Sequence, residues 1–202
     1  MSESPESLAA AVEQVARIAG EIAVRYYKKS LTIESKPDGS PVTIADRSAE
    51  QAAREWIESY FPSDGILGEE LGVVRPDARR RWVLDPIDGT KTFVRGVPLW
   101  GTLVGLCEGE HVLAGAAYFP ALGEMLAAAR GAGCWWNGNR CRVSSLANLH
   151  EATVLTTDER FAGNDDHLTG WRTLVGRAAV SRTWGDCYGY LLVATGRAEV
   201  MV

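Results

Sequence analysis

The stretch Asp85-Pro86-Ile87-Asp88-Gly89-Thr90 constrains this chain more than any other. It follows Arg81-Trp82-Val83-Leu84, a short apolar run that reads as a buried strand ending in a turn. Pro86 holds the backbone extended and forbids a helix, so the flanking carboxylates stand on an extended segment. Gly89-Thr90 then opens a new segment, Lys91 to Val94, with its free amides pointing forward. Two hard oxygen ligands followed by a helix N-terminus suit a divalent cation bridged to a phosphate.

The chain around this stretch is that of an ordinary globular protein. At 202 residues it can bury a substantial core as one large domain or two small ones. A net charge of −5 argues against nucleic acid or an anionic membrane as partner, and carboxylates at a metal site would contribute to it. No apolar run approaches the ~18 residues of a membrane span, and Met1 to Ser7 lacks the basic and apolar regions of a signal peptide. Cys107, Cys134, Cys141 and Cys187 are scattered without a CxxC pair, and read as reduced thiols of a cytoplasmic protein.

Apolar spacing predicts an amphipathic helix over Leu8 to Lys28 and a second from about Asp46 to Tyr60, stopped by Pro62. Between them Leu31 to Ser35 reads as a strand, and residues 36–41 are turn chemistry throughout. Ile66-Leu67 is a very short strand leading into Gly68-Glu69-Glu70. From Trp100 to Val143 the pattern is an antiparallel meander, with Asn137-Gly138 its strongest hairpin signal. Strand and helix then alternate, so the expected organisation is an α+β part over 1–145 carrying the acidic motifs and an α/β part over 146–202. Val200-Met201-Val202 is an apolar strand with nothing after it; complete domains seldom stop inside a core strand, and a truncated C-terminal part is expected.

Asp46, Glu69, Asp85 and Asp88 each lie just after a short apolar segment or at a helix start. Singly, each has a plain structural reading as a cap, a turn residue or a solvated acid. Strand ends brought side by side would gather them into one pocket, where like charges raise one another's pKa values unless a cation intervenes. Glu70 would point away from Glu69 in an extended segment, leaving Glu69 as the ligand. His111, His150 and His167 stand singly, so direct attack by water is the simplest chemistry for such a site.

Asp85-Pro86-Ile87-Asp88-Gly89-Thr90-Lys91-Thr92-Phe93, with Gly68-Glu69-Glu70 and Pro41-Val42-Thr43-Ile44-Ala45-Asp46 before it, resembles the inositol monophosphatase family over essentially the whole chain. The resemblance implies a layered α/β/α/β/α fold, Mg²⁺-dependent hydrolysis of small phosphate monoesters with Mn²⁺ as an alternative ion, and commonly a homodimer. It implies that Glu69, Asp85 and the Ile87 carbonyl hold one ion, that Asp85 and Asp88 share a second, and that Asp46 lies near a weaker third. Glu69 and Thr90 would orient and deprotonate the attacking water. Asp88 and the amides of Gly89 and Thr90 would line the phosphate site. The family's pattern continues past Val202 with an acid and then a Trp-Asp ligand, so the second ion is expected to lack one carboxylate here.

Within the family, Arg182-Thr183-Trp184-Gly185-Asp186-Cys187-Tyr188-Gly189 and Lys91 to Pro98 resemble the histidinol-phosphatase subgroup. Asp186 would then face the ammonium of an amino-alcohol phosphate, although an acid at a helix start is equally a common cap. Trp184, Tyr188 and Tyr190 read as core residues. An inositol phosphate, a sugar bisphosphate or a nucleotide 3′-phosphate stays open as substrate, and so does an inactive ligand-binding or interaction protein.

Overall fold

The computed structural model describes residues 4–37, 39, 41–161 and 165–202. Of the expected turn over residues 36–41, Asp38 and Ser40 lie outside the described residues. The chain divides into two compact units, Met1–Arg140 and Cys141–Val202.

The first unit opens with α1 (Pro5–Val24), which starts earlier and ends sooner than the apolar spacing indicates. Ser4 caps it by accepting from the Ser7 amide at 3.2 Å, and Pro5 supplies a pre-set first helical residue. A two-residue ladder joins β1 (Glu34–Ser35) to β2 (Pro41–Val42). Helix α2 (Ile44–Tyr60) begins two residues before Asp46, because Thr43 is the cap and Asp46 closes a capping box with it.

An eight-stranded sheet follows: β3 (Gly65–Gly68), β4 (Gly72–Val74), β5 (Arg80–Asp88), β6 (Gly101–Glu108), β7 (His111–Phe119), β8 (Glu124–Ala129), β9 (Gly133–Trp136) and β10 (Asn139–Cys141), in the order β10-β9-β8-β7-β6-β5-β3-β4. Strands β5 to β9 pair antiparallel as a meander, while β3 runs parallel to β5. Asn137 and Gly138 both hold positive φ, 46° and 77°, as a tight hairpin turn demands. Helix α1 packs on β6, β7 and β8 with α2 beside it, and Ala16, Ala49, Trp82 and Leu106 meet in the resulting core.

One expectation needs correcting. The strand does not end before the acidic motif; β5 runs through Asp85, Pro86 and Ile87 to Asp88. Asp85 pairs with Leu103 and Asp88 with Gly101, so β5 carries one extra residue there and bulges. Pro86, which has no amide to give a ladder, sits in the bulge, and its carbonyl accepts from the buried Thr102 hydroxyl at 2.8 Å.

In the second unit, β11 (Thr153–Leu155), α4 (Asp165–Val175), β12 (Val180–Arg182), α5 (Asp186–Ala194) and β13 (Val200–Met201) form a parallel sheet ordered β12-β11-β13 with two helical crossovers. Leu155, Leu192 and Ala198 are its core. The chain is thus mixed α/β, with one large mostly antiparallel sheet and a small parallel one. No helix among the described residues is long and apolar enough to cross a membrane.

Candidate metal and phosphate site

Two parallel strands set the geometry of the first unit's acidic site. Gly68 ends β3 opposite Leu84 of β5, and the Glu69 amide donates to the Leu84 carbonyl at 3.1 Å. Glu69, just past the end of β3, and Asp85, next after Leu84 within β5, therefore stand side by side on adjacent parallel strands, near the end at which open α/β sheets bind ligands. The β5 bulge then turns Asp88 back toward the same end, and the Ile87 amide donates to Asp85 Oδ1 at 3.1 Å.

This crowding has an electrostatic signature at Asp85. Burial first, then the charges of Glu69 and Asp88 and a hydrogen bond with Glu69, push its pKa from 3.8 up to about 9, against the opposing Ile87 amide. Asp46 is buried at the start of α2, where its Oδ2 accepts from the Thr43 amide at 2.8 Å and hydroxyl at 2.7 Å. Burial raises its pKa, opposed by those bonds and by the Lys36 charge.

Lys36 is the residue that sequence reasoning missed. Its Nζ lies 2.6 Å from Glu69 Oε1 and 2.6 Å from Glu70 Oε1, so an ammonium already sits among the carboxylates. Burial works against that charge, and the two glutamates outweigh it and hold the lysine above its ordinary pKa. A lone lysine in a run of turn residues carries no signal of this. Glu70 does not point away as an extended segment would require; residues 69–71 form a turn between β3 and β4, so both side chains reach Lys36.

Beyond Asp88, Gly89 takes a φ of 86° and starts the single turn α3 (Thr90–Phe93). The Thr90 hydroxyl donates to the Ile87 carbonyl at 3.0 Å. Buried Phe93 packs edge-on against Trp100 with ring centroids 4.8 Å apart, and Tyr27 adds its ring to both, so the turn is pinned from below.

The acids interact without converging: among the described residues no group of three or more His, Cys, Asp or Glu side chains is set to hold an ion. Glu69 is turned onto Lys36. The donor set nonetheless fits a hard divalent cation, because Glu69, Asp85, Asp88 and the Ile87 carbonyl offer only oxygen, and a cation would offset both the burial of Asp85 and the neighbouring charges of Glu69 and Asp88. A concavity of about 560 Å³ between Val104, Val112, Leu126 and Arg130 contains none of these acids, and its apolar lining is unsuited to a phosphate.

In the second unit, Asp186 begins α5 with a φ of 51°, a left-handed conformation that aspartate tolerates. Its amide donates to the Thr157 hydroxyl at 2.8 Å. The helix cap is Gly185, with no side-chain cap bond, so Asp186 is not the capping residue. Trp184 and Tyr190 are exposed, contrary to the core reading, while Tyr188 packs against Leu155, Leu192 and Ala198.

The model of the inositol monophosphatase family matches residues 4–202. Histidinol-phosphatase of Chlorobaculum parvum is 43% identical over 191 residues, covering 94% of this chain and 73% of that protein. Histidinol-phosphatase of Mycobacterium tuberculosis is 39% identical, covering 88% of this chain and 70% of that one. The solved structure of an inositol monophosphatase from Zymomonas mobilis superimposes with a TM-score of 0.84 at 34% identity, covering 98% of this chain and 77% of that one.

Proposed function

The chain belongs to the inositol monophosphatase family and is a phosphatase of that metal-dependent class, and we propose on that premise that it hydrolyses L-histidinol phosphate to L-histidinol and phosphate. The observation that carries the hydrolytic reading is the charge crowding at Asp85, beside Glu69 and Asp88. Glu69, Asp85, Asp88 and the Ile87 carbonyl would hold two Mg²⁺ ions, with Asp46 near a third; Mn²⁺ would serve as well. When bound, the ions neutralise charge on the phosphoryl oxygens and make water a better nucleophile.

The chain's own groups do the rest. The Gly89 and Thr90 amides donate to the phosphate oxygens, and the Asp88 side chain lines the site as a ligand of the cation that the phosphate meets. Glu69, with the Thr90 hydroxyl, aligns a water opposite the ester oxygen and takes its proton. The water oxygen bonds to phosphorus, the phosphorus–oxygen ester bond breaks, and the alcohol leaves as it gains a proton. We place this reaction in histidine biosynthesis, in a cytoplasmic homodimer.

Substrate choice rests on Asp186. Histidinol phosphate and inositol 1-phosphate present the same phosphate, so discrimination must come from the leaving group. A carboxylate facing the histidinol ammonium contributes about 1.5–3 kcal/mol, or roughly ten- to a hundredfold in kcat/KM. Asp186→Asn keeps the size and deletes the charge. The ratio of kcat/KM for histidinol phosphate over inositol 1-phosphate should fall by that factor. An unchanged ratio removes Asp186 as the selector and leaves the histidinol assignment to rest on resemblance alone; a wild-type ratio below one would favour inositol 1-phosphate, the reading supported by the likeness to the Zymomonas mobilis protein.

A further inference from the structure

Asp46, Glu50 and Arg54 follow one another at four-residue intervals along α2, and all three are buried. Glu50 is 0% exposed, and burying an ionised group is costly unless its bonding is complete. Here it is. Oε1 accepts from Arg54 Nε at 2.8 Å and from the Leu71 amide at 3.1 Å, and Oε2 accepts from the Glu70 amide at 2.8 Å. Arg54 continues the chain of contacts by donating from Nη2 to the Gly72 carbonyl. The pair thus grips the backbone of the turn that carries Glu69 and Glu70 and of the first residue after it.

Two further observations tie this grip to the site. Gly68 admits no side chain, because an added Cβ would lie 1.9 Å from Glu50 Oε1; the carboxylate is pressed against the last residue of β3. Glu50 also lines, with Asp85, Pro86 and Thr102, one narrow gap beneath the β5 bulge. The charge therefore touches the Glu69 turn from one side and adjoins Asp85 on the other.

We propose that Glu50 and Arg54 are a positioning pair that fixes the Glu69 turn against α2 and β5, and so sets the affinity of the site for its divalent cation. The proposal rests on the metal-dependent phosphatase reading. Glu50 touches no reacting atom; it holds the amides of Glu70 and Leu71 so that the Glu69 carboxylate leaves the strand end beside Asp85. A buried pair that served stability alone would leave metal affinity untouched in any variant that still folds.

The test uses Mn²⁺ as probe, titrated into the protein and followed by electron paramagnetic resonance, with amide hydrogen exchange measured alongside in EDTA. In Glu50→Gln, which keeps the volume and removes the charge, the Kd for Mn²⁺ should rise about ten- to a hundredfold, the usual effect of losing an outer partner of a metal ligand. Exchange at Glu70 and Leu71 should quicken while that of β6 and β7 stays slow. A folded Glu50→Gln with wild-type Kd overturns the proposal. Should that variant fail to fold, Glu50→Met/Arg54→Met replaces the pair by apolar groups of similar length; a weakened Kd is expected, and an unchanged one is fatal. In the wild-type protein, the Glu70 and Leu71 amides should exchange as slowly as strand amides without metal. Rapid exchange there refutes the grip whatever the variants do. Failure of the wild-type protein to bind Mn²⁺ at all would instead count against the metal reading itself.

Discussion

Asp85→Asn should stabilise the protein in EDTA and abolish its stabilisation by metal. The native carboxyl titrates near pH 9 against an ordinary value of 3.8, chiefly through burial and secondarily through Glu69 and Asp88. Across that window the folded chain keeps a proton that the unfolded chain releases, so stability falls as pH rises. The penalty grows by about 1.4 kcal/mol per pH unit, from near zero at pH 4 to on the order of 4 kcal/mol at pH 7. Asparagine does not titrate, keeps an oxygen to accept from the Ile87 amide, and escapes the penalty. Urea unfolding of both proteins in EDTA from pH 4 to 8 should give curves that diverge steadily in favour of the variant. Saturating Mg²⁺ should then restore the wild-type protein, by about 2.7 kcal/mol at a hundredfold excess over Kd, and leave the variant unmoved. Parallel pH profiles in EDTA, or a variant less stable at pH 8, would refute the reading of Asp85 as a carboxyl crowded by Glu69 and Asp88.

Three other outcomes follow from the same structure. Metal binding at pH 7 should release about one proton from Asp85, read by calorimetry in buffers of different ionisation enthalpy, and none at pH 10. Thr43→Ala removes the α2 cap and should lower stability by about 1 kcal/mol, or Tm by roughly 2–4 °C, in a thermal melt. Gly68→Ala drives a methyl against Glu50 Oε1 and should lower Tm further than Thr43→Ala does.

The acidic motif was legible because its residue types are restrictive: a proline between two aspartates and a glycine after them leave few backbone paths. The meander was legible from alternation and from Asn137-Gly138. The run of β5 through Asp85 to Asp88 was not, since a proline argues against a central strand unless a bulge absorbs it, and the bulge is fixed by pairing with β6. Strand β4 escaped notice because Gly72-Val73-Val74 is short and half open to solvent, without alternation. Lys36 and Glu50 were invisible for a different reason. Lys36 meets the Glu69 and Glu70 side chains and Glu50 meets the Glu70 and Leu71 amides, all distant in sequence, and neither side chain belongs to an apolar pattern. Helix spacing did place Glu50 one turn after Asp46, but a charged residue there reads as a solvated face until burial is known.

Calorimetric titration of Mg²⁺ into the wild-type protein and into Asp88→Asn tests the metal site most directly. Glu69, Asp85 and Asp88 as joint ligands require saturable binding in the wild-type protein and a marked loss of affinity in the variant, since a charged oxygen ligand is replaced by a neutral one. Equal affinity in the two proteins would contradict that assignment.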